Sequence, residues 1–284
     1  MLTIRPLADE LQKPPCEGSR AARSRALDHR RSPGTCLSDL DDAATLIRAA
    51  RRGVVFTGAG ISQESGIPTY RGAGGIYQTV DPMKVSNISF FRRDPALYWT
   101  HARARGALAL AARPNSAHVA VVEMERQGHV VAVITQNTDG LHLDAGSSRV
   151  IELHGTGRQV ECLDCGTREP RSHVQARLDV EFPPRCLECA SIYIKPAAVF
   201  FGEAMPARAV ADAFELAQAS DLMLVVGSTL QVYPAADVPL QAAQAGAPMV
   251  IVNLEPTPLD RLALVVIRGK AGEVLPELSR LAAL

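Results

Sequence analysis

Four short apolar runs constrain this chain's fold more than any other feature. Val54-Val55-Phe56, Val130-Val131-Ala132-Val133-Ile134, Leu222-Met223-Leu224-Val225-Val226 and Met249-Val250-Ile251-Val252 carry no polar interruption. A strand without polar alternation has both faces buried, the mark of a parallel sheet covered by helices on either side. Helical spacing fills the intervals, at Pro95 to Ala112, Ala117 to Gln127, Pro206 to Gln218 and Ala235 to Ala245. A further helix over Asp41 to Arg51 begins on acids, ends on arginine as the helix dipole favours, and is closed by Gly53. Strand alternating with helix predicts an α/β fold, a parallel sheet with helices on both faces.

Each apolar run stops at a polar segment: Thr57-Gly58-Ala59-Gly60, Thr135-Gln136-Asn137, Gly227-Ser228-Thr229 and Asn253. In open α/β sheets the crevice beyond the carboxyl ends of the strands is where ligands bind. The pattern therefore points at Gly58, Gln136, Ser228 and Asn253 as neighbours of a ligand.

The interval from about 156 to 196 breaks the alternation and reads as an inserted module. It carries Cys162-x2-Cys165 and, after twenty residues, Cys186-x2-Cys189. Each pair can present two thiolates on one knuckle, and two knuckles complete a tetrahedral zinc site with no position left for water. The spacing predicts one structural Zn2+ held by four cysteines in a reducing compartment. Cys16 and Cys36 have no evident role. Residues 1 to 40, with Arg20, Arg23, Arg25, Arg30, Arg31, Pro14, Pro15 and Pro33, lack apolar periodicity and read as a mobile tail.

No apolar run reaches the roughly 18 residues that span a bilayer, and the amino terminus lacks the apolar middle of a secretory signal. A soluble, cytoplasmic protein with no membrane partner is expected, and a monomer. Thirty basic residues balance thirty acidic ones, which argues against a nucleic-acid surface as the main business of the chain.

Individual motifs leave alternatives open. Gly58-Ala59-Gly60-Ile61-Ser62 lets a backbone approach a phosphate, yet it lacks the third glycine of a dinucleotide fingerprint and serves equally well as a tight turn. His154 follows the strand-like Val150-Ile151-Glu152-Leu153. A histidine there can act as a general base, but by position alone a hydrogen-bonded structural histidine is the stronger reading. Asn137 and Asp139 can simply cap or turn, and His142 has no better claim. Phe200-Phe201-Gly202-Glu203 reads as packing followed by a turn, and Tyr98 and Trp99 as packing residues on a helix.

The order of these motifs resembles the sirtuin family. Gly58-Ala59-Gly60-Ile61-Ser62 and Gly66-Ile67-Pro68-Thr69-Tyr70-Arg71-Gly72 are similar to its opening segment. Gln136-Asn137-Thr138-Asp139-Gly140-Leu141-His142, Leu153-His154-Gly155, the two cysteine pairs, Lys195-Pro196, Phe201-Gly202-Glu203, Gly227-Ser228-Thr229-Leu230, Pro234-Ala235-Ala236 and Val252-Asn253 follow in the family's sequence. The resemblance covers about residues 41 to 284. It implies a Rossmann-like large domain (about 41–69, 116–155 and 197–284), a helical insertion near 70–115 and a zinc insertion near 156–196. It also implies an NAD-dependent protein-lysine deacetylase or deacylase, with acylated-lysine proteins or peptides as partners and NAD as co-substrate.

The site roles follow from the same resemblance. Gly58, Ala59, Gly60, Ser62, Gln63 and the loop through Tyr70 and Arg71 would hold the pyrophosphate and close over NAD. Gln136, Asn137, Thr138 and Asp139 would shape the nicotinamide-ribose pocket, with Asn137 and Asp139 counted beside His154, the base, as catalytic. Val199, Phe201, Gly202 and Glu203 would line the acyl-lysine channel. Gly227, Ser228, Thr229, Asn253, Leu254 and Ala271 would face the adenosine half. The implied chemistry has the acyl oxygen attack the ribose carbon as nicotinamide leaves, an ADP-ribosyl imidate form, and water release free lysine and O-acyl-ADP-ribose. Such a path needs an aligned, water-poor site more than a strong acid.

The chain departs from the family at Thr69 (many members have Asp), Tyr70 (Phe) and Thr138 (Ile, so nicotinamide inhibition is expected to weaken). Members specialised for acidic acyl groups carry Tyr-x-x-Arg, where this chain reads Ala102-Arg103-Ala104-Arg105. With the tyrosine missing, neutral acyl groups are expected over succinyl or malonyl. The competing readings are transfer of ADP-ribose to a protein, a non-catalytic NAD- or ADP-ribose-binding module, and a hydride-transfer dehydrogenase.

Overall fold

The computed structural model describes residues 3–4, 38–71 and 75–284. Its strands are β1 (Thr3–Ile4), β2 (Gly53–Thr57), β3 (Val130–Thr135), β4 (Val150–Glu152), β5 (Gly155–Cys162), β6 (Arg168–Pro170), β7 (Ile194–Ala198), β8 (Leu222–Val226), β9 (Val232–Tyr233), β10 (Met249–Val252) and β11 (Val265–Ile267). Its helices are α1 (Ser38–Ala49), α2 (Pro82–Val85), α3 (Ile88–Arg93), α4 (Pro95–Ala111), α5 (Ser116–Arg126), α6 (Leu141–Ala145), α7 (Arg171–Arg177), α8 (Ala207–Ala219), α9 (Asp237–Gln244) and α10 (Ala271–Ala282).

The four apolar runs lie where doubly buried strands must, inside one sheet. Six strands pair in the order β11-β10-β8-β2-β3-β4, all parallel. Val55 stands opposite Val133 on one side and Leu224 on the other. Because side chains alternate along a strand, each run serves two cores. Val55, Val133, Leu224 and Val250 meet Ile47, Val121, Met124, Leu275 and Leu278 from α1, α5 and α10. Val54, Phe56, Ile134, Met223 and Ile251 meet Ala213, Ala217, Val238 and Ala242 from α8 and α9. The fold is the expected Rossmann-like α/β layer structure with a small domain beside it.

That small domain is one body. β6, β5 and β7 form an antiparallel sheet in that order. It shares a core with the helices α3, α4 and α7: Phe91, Tyr98 and Trp99 pack with Val160, Val174, Leu178, Ile194 and Phe200. Phe91 meets Tyr98 and Phe200 edge-on at 5.8 Å each. The Trp99 indole Nε1 donates to the Ile194 carbonyl at 3.1 Å, joining the helical segment to the cysteine-bearing one. Tyr98 and Trp99 are thus packing residues, as their position implied.

Most helix and strand limits fall within one or two residues of the expected ones. The segment after β2, Ala59–Ser65, is a 3-10 helix. The expected mobile tail over 1–40 lies for the most part outside the described residues, as do Cys16 and Cys36. Thr3 and Ile4 pair antiparallel with Tyr233 and Val232. Among the described residues no helix is long and apolar enough to cross a membrane.

Candidate active site

After β2 the chain fills β3 and β4 on one side, then returns to lay β8, β10 and β11 on the other. The loops leaving β2 and β8 therefore diverge and open a crevice at this switch point. Two glycines let those loops touch. Gly60 N donates to Gly227 O at 2.8 Å. A Cβ on Gly60 would lie 2.6 Å from Gly227 Cα, and a Cβ on Gly227, whose φ is +60°, 2.4 Å from Ile61 N. Neither position tolerates a side chain, and the crevice keeps a backbone floor.

Polar side chains tie the strand ends across that floor. Gln136 Nε2, beyond β3, donates to Ser228 Oγ, beyond β8, at 2.8 Å. Asn137 Nδ2 donates to Gly58 O at 3.0 Å and to Ser62 Oγ at 3.2 Å. Ser62 Oγ in turn donates to Asp139 Oδ2 at 2.7 Å, and Asp139 Oδ1 accepts from Leu141 N at 2.9 Å. Asn253 Nδ2 donates to Glu255 O at 2.7 Å.

His154 sits just past β4. Its Nδ1 lies 2.9 Å from Gln136 O. A carbonyl can only accept, so the proton is on Nδ1 and the lone pair on Nε2. That Nε2 is buried and has no partner among the described residues. Burial holds the ring's pKa down to about 4, against a smaller upward pull from the Gln136 carbonyl, so the imidazole is neutral at working pH. His118 Nε2, His129 Nδ1 and His142 Nδ1 are likewise buried without a partner among the described residues, but of these four rings only His154 lines the crevice, where a general base has to stand.

All these groups line one cavity of ≈ 430 Å³, together with Ala59, Gln63, Tyr70, Arg71, Thr138, Val199, Phe201, Thr229 and Leu254. Ala271 lines an adjoining pocket that shares Gly60, Gln63, Gly227, Asn253 and Leu254 with it. Two expected channel residues fall outside this lining. Gly202 turns the chain at φ +89°, and Glu203 is drawn inward, its Oε2 accepting from Phe200 N at 2.7 Å and pairing with Lys195 Nζ at 3.1 Å.

Residues 58–234 match the profile of the Sir2 family. The chain belongs to the Sir2 family. It is 48% identical over 240 residues to the NAD-dependent protein deacylase 2 of Archaeoglobus fulgidus, covering 84% of this chain and 94% of that one. It is 44% identical over 243 residues to the NAD-dependent protein deacetylase of Caldivirga maquilingensis, covering 85% and 93%. Among solved structures, a Sir2 variant with a deacetylated p53 peptide and 3′-O-acetyl ADP-ribose superposes with a TM-score of 0.82 at 38% identity, over 85% of this chain and 97% of that one. A Sir2 protein bound to a myristoylated histone peptide gives 0.74 at 41% identity, over 86% and 96%.

The other expected site of this Sir2 protein is away from the crevice. The sulfurs of Cys162, Cys165, Cys186 and Cys189 all lie within 4.8 Å of one another. Cys162 Sγ is 3.6 Å from Cys189 Sγ, and Cys165 Sγ is 3.6 Å from Cys186 Sγ. Four sulfurs at about 2.3 Å from one zinc would be just under 4 Å apart, so the quartet fits a tetrahedral ion.

Sequence reasoning gave several groups here no part in the site. Arg158 lines the cavity, donates from Nε to Asp139 O at 2.6 Å and pairs with Asp144. Glu152 is held up to about 7 by burial and by Asp139, against Arg158. His118 and His142 meet edge-to-face, their ring centroids 4.8 Å apart. Tyr77, Tyr98 and Arg171 also line the cavity. Only Glu152, at the end of β4, could have drawn notice; Arg158, inside β5, and the others arrive by tertiary packing.

Proposed function

We propose that this Sir2 protein is an NAD-dependent protein-lysine deacylase, moving the acyl group from lysine to ADP-ribose and releasing nicotinamide. The observation that carries this reading is the unpartnered Nε2 lone pair of His154 inside the same cavity as the glycine floor.

NAD, when bound, supplies the ribose that accepts the acyl group and the nicotinamide that leaves. This chain's residues would do the rest. The Gly58–Gly60 floor lets an anionic diphosphate approach backbone, and the buried, unpartnered Nη2 of Arg71 supplies a donor for it. Ser62, Asn137 and Asp139 hold one another in a fixed chain of donors and acceptors, the preorganisation such a site needs. Gln136, Thr138, Thr229, Asn253, Leu254 and Ala271 complete the nucleotide's surroundings. His154 receives a ribose hydroxyl proton on Nε2 while Nδ1 keeps its bond to Gln136 O. Its low basicity makes it a positioned acceptor, not a strong base. Val199 and Phe201 wall the acyl-lysine entrance and exclude water. His154 O, accepting from Val199 N at 2.8 Å, joins that wall to the base. Glu203 stiffens the wall through Phe200 N. The cysteine quartet holds a structural Zn2+, and metal-binding cysteine pairs of this kind suit the reducing cytoplasm.

The test is mass spectrometry after incubation with NAD and an acetyl-lysine peptide. Deacetylated peptide, nicotinamide and O-acetyl-ADP-ribose should accumulate in equal amounts. ADP-ribose attached to protein, or NADH absorbance, without these products would replace this reading with transferase or dehydrogenase chemistry.

A further inference from the structure

Between Gly155 and Val160 the pairing of β5 with β7 shifts its register, and the stretch released from that ladder reaches the loop after β3. Gly157 N donates to Thr138 O at 2.7 Å. Arg158 Nε donates to Asp139 O at 2.6 Å, and Arg158 Nη2 pairs with Asp144 of α6. Gly140 follows at φ +73°, and a Cβ there would stand 3.0 Å from Arg158 Nε. One strand, which begins next to His154 and ends at Cys162, thus grips two consecutive carbonyls of a turn built on the large sheet.

The turn so held brings Asn137, Thr138 and Asp139 to the cavity, which Arg158 lines as well. Its side chains are fixed from within the crevice: Asp139 Oδ2 accepts from the Ser62 hydroxyl at 2.7 Å, and Asn137 Nδ2 reaches Gly58 O at 3.0 Å. Its carbonyls at Thr138 and Asp139 are fixed from β5. A guanidinium on a carbonyl makes a charge-assisted bond, roughly twice as strong as a neutral one. Without it Asp139 O would lose its donor next to a left-handed glycine, a point where the backbone swings easily. No step assigned above uses Arg158.

We propose that Arg158 is a positioning residue that keeps NAD cleavage coupled to acyl transfer, by fixing the turn 137–140 against the crevice. This rests on the deacylase reading. When the bond between the ribose carbon and nicotinamide breaks, its electron pair leaves with nicotinamide, and the acyl oxygen and a water molecule compete for the carbon. Addition of the acyl oxygen leads to free lysine and O-acyl-ADP-ribose. Addition of water, with loss of its proton to solvent, gives nicotinamide and ADP-ribose and leaves the lysine acylated. A turn held by both its side chains and its carbonyls keeps the acyl oxygen aligned and water out. A turn held by its side chains alone admits water. Arg158 acts through the Asp139 carbonyl, not on the reacting atoms.

The experiment counts nicotinamide released per lysine freed, with NAD and an acetyl-lysine peptide, for the wild type, R158M and R158Q. The wild type should give a ratio of about one. R158M keeps the length of the side chain without its charge or donors. Its ratio should rise to about two or more, and its kcat for lysine release should fall about tenfold, the order of one charge-assisted hydrogen bond, with the peptide KM little changed. R158Q, neutral and too short to span Asp139 and Asp144, should behave alike and decides the matter if R158M does not fold. A merely structural residue would lower the melting temperature and leave the ratio as it was. An unchanged ratio in the folded variant overturns the proposal whatever happens to kcat, and Arg158 then only fastens β5 to α6. A wild type already uncoupled overturns it as well. A wild type that frees no lysine fails the deacylase reading itself; a coupled wild type beside a coupled variant fails this inference alone.

Discussion

The sheet and the small domain are held together by different physics. The sheet lies between two apolar clusters, and residues on both its faces, such as Val54, Val55, Phe56, Leu224 and Val225, are fully buried. The small domain has one thinner cluster and, at one end, four cysteines, two buried and two exposed. Small bodies bury too little apolar surface to be stable alone and usually lean on a metal or disulfide. His154 and the glycine floor are thus anchored to the robust part. The cavity wall from α4, α7 and Phe200 belongs to the part that carries the four cysteines. The sheet should therefore stay folded when the small domain fails.

The largest effect that could break this contrast is metal removal. Structural zinc in small domains contributes about 10–16 kcal/mol of apparent binding energy. Stripping the ion with a chelator, or Cys165→Ser, should abolish peptide turnover while the circular dichroism of the parallel sheet largely persists. Full turnover by protein shown to be zinc-free would end the claim that the small domain leans on its cysteines. Next come the two cores. Phe91→Ala and Phe56→Ala each remove a fully buried ring and should cost about 3–5 kcal/mol. Limited proteolysis should cut Phe91→Ala within the small domain only, whereas Phe56→Ala should lower the main thermal transition. Identical cleavage patterns would mean that the two bodies unfold as one.

The smallest effect is the response to acid, which belongs to the large domain. Burial lowers the pKa of His118 from 6.5 to about 4 and of His142 from 6.5 to about 3. The unfolded chain takes up protons on these rings below pH 6.5 while the folded one resists, so stability is full above 6.5 and lost as pH falls toward 4. Glu152, raised from 4.5 to about 7, acts in the opposite sense between those values. His154, also lowered to about 4, adds to the loss, and a net fall in stability between pH 7.5 and 4.5 is expected from denaturant titrations. A flat profile would mean that the three rings are hydrated.

The same division governs what could be read from sequence. Doubly buried strands announce themselves as unbroken apolar runs, and their polar ends mark the crevice without further information. The edge strand Val265–Ile267 did not stand out, because three residues are too few for a pattern. Helix α10 was hidden by Pro276 inside it, although Leu275 and Leu278 are fully buried against the sheet. The cysteine spacing disclosed a metal knuckle, since ligand geometry is local. Not legible was the shared core of the two insertions: Trp99 reaches Ile194 across 95 positions and Arg171 reaches Ala102 across 69. Likewise the free lone pair on His154 exists only because Gln136 O, 18 positions away, takes its other nitrogen.

The central claim is that this lone pair is the base. The most direct measurement is His154→Ala, with turnover followed by nicotinamide release and NAD binding by calorimetry. Loss of a positioned base predicts a fall in kcat of about a hundredfold to ten-thousandfold, with NAD affinity largely retained by the glycine floor. A variant that folds, binds NAD and turns over acyl-lysine peptide at the wild-type rate would contradict the account.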